Sequence, residues 1–456
     1  MKRTTFHALV ILALLLMMVS TVATAAPAVK KIGINVVLNT DVTDAILADL
    51  GTHGKVFNKI VEINAVTMSV PETELPVIQA LPYVKAAGPD QVRNGSPVDT
   101  VSATNFTGGI NTWDLDAVNV TDFGAGRVAD YDGTGVYVAV LDTGLLDSWR
   151  QYFPQERIAE EFGIAFGGGG GEMGSVSSQP NKWEHDQNSH GTHVTSTILG
   201  YNMSGSAVNG VAPMATIIPV KVLNQNGSGW SSVVAQGITY VTDLRLDGKL
   251  GSASVVINMS LGGPELDAME QAAVDYAVEN GVIIVASAGN EGEAGMGYPG
   301  AYDPVISVAA SGWVGEWTGT AWWRTIDVPD PTNAEDFYIT DFSSRQLEGQ
   351  DLDVAAPGSW IVGPYQVNSG QTSYYYLGGT SMASPHVAGI VALMVQKDPA
   401  ILADQAESIL EDSAIALPAG CRNITDPNLG DIEVCWGDDA TGAGLATADA
   451  ALSMTP

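Results

Sequence analysis

The chain has 456 residues, 45% of them hydrophobic, and a formal net charge of -32, enough for one large domain and a small companion. The charge is uneven: residues 1–100 carry eight basic and eight acidic side chains, whereas residues 101–456 carry 11 basic against 43 acidic ones. A surface of that sign repels nucleic acid and anionic membranes, which excludes both as partners, and external salt would screen its self-repulsion, as in a saline habitat.

Lys2 and Arg3 precede an apolar run from Ala8 to Val19, and Ala23-Thr24-Ala25 offers a small-x-small cleavage pattern. Residues 1–25 therefore read as a signal peptide, because the run is too short for a membrane span. A soluble, secreted, extracellular protein without a membrane anchor after cleavage is expected.

Residues 26–95 form a small unit of their own. Strands are predicted at Ile34–Leu38, Lys55–Ile63, Ala65–Val70 and Tyr83–Ala87, with helices at Thr43–Leu50, ended by Gly51, and Pro71–Ala80. That β-α-β-β-α-β order predicts a ferredoxin-like α+β fold. Its place between a leader and a large domain points to a pro-segment. From Gln91 to Gly109 the chain is rich in Ser, Thr, Asn, Gly and Pro without hydrophobic period, so residues 96–109 read as a linker and processing region.

Residues 110–456 alternate short β-branched runs with helical stretches. Val136–Leu141, Thr216–Val222, Val255–Met259, Val282–Ser287 and Val305–Ala309 read as strands, Ser231–Leu246 and Glu265–Asn280 as helices. This is the pattern of an α/β domain, a parallel sheet with helices on both faces, whose chemistry gathers at the carboxyl ends of the strands. The glycine run Gly167–Gly171 is a flexible loop, since no Gly-Lys-Ser/Thr follows to bind phosphate. The segment from Trp313 to Asp336 holds four tryptophans and reads as a locally packed surface insertion. Cys421 and Cys435 are the only cysteines. Export favours a disulfide between them, worth about 3 kcal/mol in the chain-entropy picture, with two free thiols as the alternative.

Four residues carry the chemistry. Asp142 ends a predicted strand and precedes Thr143-Gly144; an aspartic-peptidase mechanism would need a second such aspartate, and none exists. His190 and His193 lie within four residues of each other in a chain of six histidines, with no Glu and third ligand to complete a zinc site. His193 reads as structural and His190 as a general base. Asn290 follows an apolar strand, where its amide can donate to a developing negative charge. Ser381 lies in Gly379-Thr380-Ser381-Met382-Ala383-Ser384-Pro385 at a predicted helix start. Alone it would be a helix cap. A serine nucleophile needs a base, a carboxylate to orient that base, and oxyanion donors, and these four positions supply the set.

The order Asp, His, Asn, Ser resembles the subtilisin family. So do Asp142-Thr143-Gly144, His190-Gly191-Thr192-His193-Val194, Gly210-Val211-Ala212-Pro213, Ser260-Leu261-Gly262-Gly263-Pro264, Ala288-Gly289-Asn290-Glu291-Gly292, Ala356-Pro357-Gly358 and Gly379 to His386. The resemblance implies a subtilisin-like serine endopeptidase acting on protein substrates, with residues 26–95 as its own intramolecular inhibitor. It implies Ser381 as nucleophile, His190 as proton carrier, Asp142 as orienting carboxylate, and Asn290 with the Ser381 N–H as oxyanion donors. Ser260, Leu261 and Gly262, with Gly227, Ser228 and Gly229, would flank an extended substrate, and Gly289 and Gly297 would border the primary pocket.

No cofactor is implied for the chemistry, and a monomer is expected. The stretch Leu146-Asp147-Ser148-Trp149 replaces the His-Pro-Asp usual in the family and removes a familiar calcium ligand, while Asn202 and the acidic surface leave room for a structural calcium ion. An exported binding protein on an inactive scaffold is the alternative, and it predicts the loss of at least one of the four groups. An esterase would carry Gly-x-Ser-x-Gly, which Ser381 lacks.

Overall fold

The computed structural model describes residues 30–102, 111–123, 126–170, 177–366 and 373–456. The leader, and the stretch 103–109 of the expected linker, lie outside the described residues.

Residues 31–89 form a four-stranded antiparallel sheet in the order Lys55–Ile60, Ala65–Pro71, Lys31–Leu38, Val84–Pro89, with helices Asp44–His53 and Leu75–Gln79. This is the expected ferredoxin-like arrangement. Ile34, Val36, Leu50, Val66, Met68 and Ile78 form its private core. The first helix starts where the Thr43 side chain accepts from the Ile46 N–H. It passes through Gly51, predicted as its end, and stops at His53; at the next residue, Gly54, a Cβ would lie 2.4 Å from the Ser69 carbonyl oxygen. The opposite face of the unit contributes Val37, Ile60, Ile63 and Ala65 to a cluster shared with Val241, Leu244, Ala273 and Ala277 of the large domain.

The large domain is built on one nine-stranded sheet. Its parallel strands run in the spatial order Ile164–Gly167, Thr216–Lys221, Tyr137–Asp142, Val255–Met259, Ile283–Ser287, Ile306–Trp313, Val354–Pro357. Antiparallel pieces at Ser177–Ser178 and Phe337–Ile339 complete it. The core strands are buried on both faces, which explains why they read as continuous apolar runs rather than alternating ones. Strand Tyr137–Asp142 lies between strands that follow it in the chain, so the order reverses there, and the crevice beyond its carboxyl end is where a site is expected. Helices Ser231–Leu246 and Ala268–Glu279 pack together on one side; His190–Leu199 and Thr380–Lys397 pack together and against strand Tyr137–Asp142.

Two expectations change. The stretch beyond Gln91 is not structureless: Val92–Asn94 and Asp99–Ser102 are strands, each paired to a strand of the large domain through backbone hydrogen bonds. The tryptophan segment packs on itself only in part, with Trp317 and Trp322 5.6 Å apart, and otherwise on distant aromatics. Trp313 stacks on Trp113 and Trp322 lies tilted against it, while Trp317, Trp322 and Trp323 close on Tyr376, with Trp322 and Trp323 fully buried. It joins the start of the large domain to the strand Tyr374–Gly378 that leads into Ser381.

Candidate active site

Asp142 ends its strand with both carboxylate oxygens on His190 Nδ1, at 2.8 and 2.9 Å. The Thr143 N–H donates to Asp142 Oδ1 at 2.6 Å, and the Thr143 hydroxyl accepts from the Gly191 N–H at 2.9 Å. Strand end and helix start are thereby joined at short range. Gly191 has no alternative here: a Cβ would stand 2.4 Å from the Gly144 oxygen and 3.2 Å from Asp142 Oδ1.

The turn into the helix is held by Asp186. It accepts from the Thr143 hydroxyl and from the N–H groups of Asn188 and Ser189, all at 2.8 Å. Burial pushes this carboxyl up to about 6, although Lys221 nearby opposes the shift. His193, one turn on, has Nε2 3.1 Å from the Ile361 oxygen; burial and the proximity of His190 push it down to about 3, so it is neutral. It packs the helix, as its structural reading requires.

Ser381 is the second residue of helix Thr380–Lys397. Pro385, four residues on, has no N–H to give the Ser381 carbonyl. The Ser260 hydroxyl takes that place, donating to the Ser381 oxygen at 2.8 Å, and is itself held by the Asn258 amide at 3.1 Å. Asn258 Oδ1 accepts from the Ser384 hydroxyl at 2.7 Å. A break in the helix ladder is thus mended by the strand that borders the cleft. Pro385 lies inside the helix, just beyond its first turn, and the Ser260 bond is what makes that position tolerable.

The Ser381 hydroxyl donates to the Ser260 carbonyl at 3.3 Å, while His190 Nε2 is buried without a hydrogen-bond partner among the described residues. Asn290 faces the same space. Its Oδ1 accepts from both the N–H and the hydroxyl of Thr380, each at 2.9 Å, which turns Nδ2 toward the cleft. The structure therefore brings Asp142, His190, Asn290 and Ser381 to one point.

The residues expected at the cleft edges lie on either side of Val92–Asn94. Ser228–Trp230 is a strand, and Gly262 lies across the cleft from it, with Val92–Asn94 between the two. Gly262, Gly289 and Gly297 meet: the Gly297 N–H donates to the Ala288 oxygen at 2.8 Å, and Gly297 lies within van der Waals reach of both other glycines. Beyond Asn290 a cleft of ≈ 470 Å³ is lined by Val98, Trp360, Ile424, Leu429 and Val434. Its outer wall is the hairpin Gly420–Trp436, bridged by the Cys421–Cys435 disulfide.

Sequence reasoning missed Asp186, Asn258, Thr380 and this hairpin wall. Asp186 and Asn258 act through turns and strand neighbours that leave no local signature. Thr380 was visible only as part of the serine motif.

The sequence model of the Subtilase family matches residues 133–445, more than half of the chain. The chain belongs to the subtilase family. This subtilase is 36% identical over 291 residues to Subtilisin E of Bacillus subtilis (strain 168), a match covering 63% of this chain and 62% of that protein. It is 34% identical over 291 residues to Subtilisin DY of Bacillus licheniformis, covering 63% of this chain and 86% of that one. Among solved structures, the S41 psychrophilic protease superimposes with a TM-score of 0.54 at 28% identity over 75% of this subtilase and 99% of its own length. Fervidolysin from Fervidobacterium pennivorans, a keratinolytic enzyme, superimposes with a TM-score of 0.64 over 94% of this chain and 62% of its own; at 24% identity that likeness concerns the fold. The protein is a serine endopeptidase and needs no cofactor for its chemistry.

Proposed function

We propose that this subtilase is made as an exported, self-inhibited precursor, and that Ser381, His190, Asp142 and Asn290 cleave peptide bonds of protein substrates through an acyl-enzyme. The observation that carries the reading is the strand Val92–Asn94. It lies antiparallel on Ser228–Trp230, with Asn94 and Gly262 exchanging backbone hydrogen bonds at 2.9 Å, so the end of the small unit occupies the cleft as an extended peptide would. An inactive scaffold has no use for such a plug, and it would not retain all four groups.

In the reaction, Ser381 Oγ swings from the Ser260 oxygen toward His190 Nε2 and attacks the substrate carbonyl. His190 takes the hydroxyl proton and returns it to the leaving amine; Asp142 fixes the imidazole orientation and offsets its charge. The Asn290 amide and the Ser381 N–H receive the oxyanion. Water then repeats the cycle on the acyl-enzyme.

Inhibition by the small unit is supported by its anchors. Asp90 sits at the start of helix Ser231–Leu246, accepting from the Ser232 N–H at 3.1 Å and from the Ser231 and Ser232 hydroxyls at 3.0 and 2.7 Å. An anion is favoured at that pole of a helix. Arg93 is fully buried against Glu270 in a paired contact with both carboxylate oxygens, at 3.0 and 3.1 Å from Nε. Residues 26–95 then act as a pro-segment that leaves once its link to the enzyme is cut. Export is supported by the leader pattern.

A structural calcium ion fits Asp351, Asp353 and Glu407 better than the loop around Asn202. Their carboxylate oxygens lie within 4.8 Å of one another, and Asp353 Oδ1 is buried without a hydrogen-bond partner among the described residues. Hard oxygen donors suit that ion. The Asn202 side chain is already committed to the Gln151 oxygen and the Gly205 N–H.

The reading is tested with a serine-directed phosphonate. It should label Ser381 and abolish activity, and labelling at any other residue refutes the assignment.

A further inference from the structure

The path of the chain through the cleft determines which of its bonds faces the nucleophile. On one side, Asn94 and Gly262 exchange hydrogen bonds at 2.9 Å, and the Gly95 N–H donates to the Gly227 oxygen at 2.9 Å. On the other side, the Val98 N–H donates to the Gly378 oxygen at 2.7 Å, and Asp99–Ser102 continues as an antiparallel strand on Tyr374–Gly378. Three peptide bonds lie between these anchors. A Cβ on Gly95 would be 2.7 Å from the Ser260 carbonyl oxygen, the same oxygen that Ser381 Oγ approaches at 3.3 Å, and 3.4 Å from His190 Cε1. The bond presented to Ser381 is therefore the middle one, Ser96–Pro97.

That bond is unsuited to the reaction. Acylation forms Oγ–C at the Ser96 carbonyl and breaks C–N to Pro97, and the proton taken from Oγ must pass from His190 to the departing nitrogen. In a proline that nitrogen already carries the ring Cδ where other residues carry hydrogen. The ring crowds the side from which the proton must arrive, and it restrains Ser96 to extended backbone. The same ring supports inhibition, because it leaves the plug in a bound geometry without letting it react.

Resting on the pro-segment reading above, we propose that Ser96–Pro97 is an arrested bond. The precursor does not excise its own pro-segment. Activation comes from hydrolysis of another bond in trans: the small fraction of precursor whose plug has left its cleft makes the first cuts, and mature copies carry on with the same acyl-enzyme chemistry.

The experiment follows full-length precursor over a hundredfold range of concentration, by gel and by sequencing of new N-termini, in the native chain, in Pro97→Ala and in Ser381→Ala. In the native precursor a lag is expected that shortens with concentration and vanishes on seeding with mature enzyme, and no N-terminus at Pro97. Pro97→Ala should cut after Ser96 with a first-order rate independent of concentration, at least a hundredfold faster than any Pro97 terminus appears in the native chain. Ser381→Ala should convert only when seeded. A native precursor that releases Pro97 in a first-order, concentration-independent step overturns the proposal, and that readout does not depend on how Pro97→Ala folds. Activity of uncleaved precursor on a small ester separates the two readings. An active uncleaved precursor refutes inhibition by the small unit, whereas a latent one that releases Pro97 by itself refutes only the arrested bond.

Discussion

The Arg93–Glu270 pair offers the sharpest measure of how the small unit holds the enzyme. Both side chains are fully buried, and Arg93 also donates to the Glu265 oxygen at 3.0 Å. Burial opposes the charge on Arg93, but the adjacent Glu270 carboxylate outweighs it and raises the guanidinium above its usual value. Removing one partner of such a pair leaves an uncompensated buried charge, a loss of about 3–5 kcal/mol. At about 1.4 kcal/mol per factor of ten, Arg93→Met should weaken inhibition by roughly two to three and a half orders of magnitude. The assay is inhibition of mature enzyme by the segment 30–96, which has its own core around Val36, Leu50 and Met68. Replacing both partners by apolar residues of similar size is close to neutral. Glu270→Met enzyme should therefore regain most of its affinity for the Arg93→Met segment. A loss below threefold in the single variant, or no recovery in the double one, refutes the argument.

Three further perturbations address the reacting groups and their support. Asn290→Leu removes the amide that faces the cleft and should lower kcat by about 10²–10³ with little change in KM, read from steady-state kinetics on a peptide substrate. A change confined to KM would place Asn290 in binding instead. Ser260→Ala leaves the Ser381 carbonyl buried without a donor and should cost about 1–3 kcal/mol in urea unfolding of phosphonate-inactivated enzyme, with a parallel fall in kcat. Glu316 is buried beneath Tyr338 and Ser359, which with the Trp313 N–H all donate to it, yet burial pushes it up to about 8. The folded protein thus retains this proton after the unfolded chain has lost it. Stability should fall as pH rises from about 4.5 to about 8, by at most about 5 kcal/mol from this group. Glu316→Gln should flatten that stretch of the Tm–pH curve in a Ser381→Ala background; an unchanged slope would assign it to other carboxyls.

Much of the site was legible because its members sit where a strand ends or a helix begins. Asp142 closes an apolar run, Asn290 follows one, and His190 and Ser381 each open a helix, so chain order and residue type were enough to bring them together. What stayed hidden depends on partners far away in sequence. The tryptophans of 313–323 looked like an excursion because Trp113 and Tyr376, which they cover, cannot be paired with them by local pattern. Val92–Asn94 and Asp99–Ser102 showed no hydrophobic period because they are held by backbone hydrogen bonds to neighbouring strands and each sends a single side chain inward, Arg93 to Glu270 and Val101 against the core.

Pro385 shows how these levels connect. A proline at the sixth position of a buried helix costs a backbone hydrogen bond, and the carbonyl left over belongs to Ser381 itself. The strand Val255–Met259 runs on to Ser260, whose hydroxyl meets that carbonyl while its own carbonyl waits beside Ser381 Oγ. One residue at the cleft edge thus fixes the nucleophile's backbone and holds its hydroxyl in reserve, and the same edge continues to Gly262, where Asn94 docks. Occupation of the cleft and placement of the nucleophile share a single strand. A plug that ends in an unreactive bond therefore holds Ser381 in its resting position without consuming it.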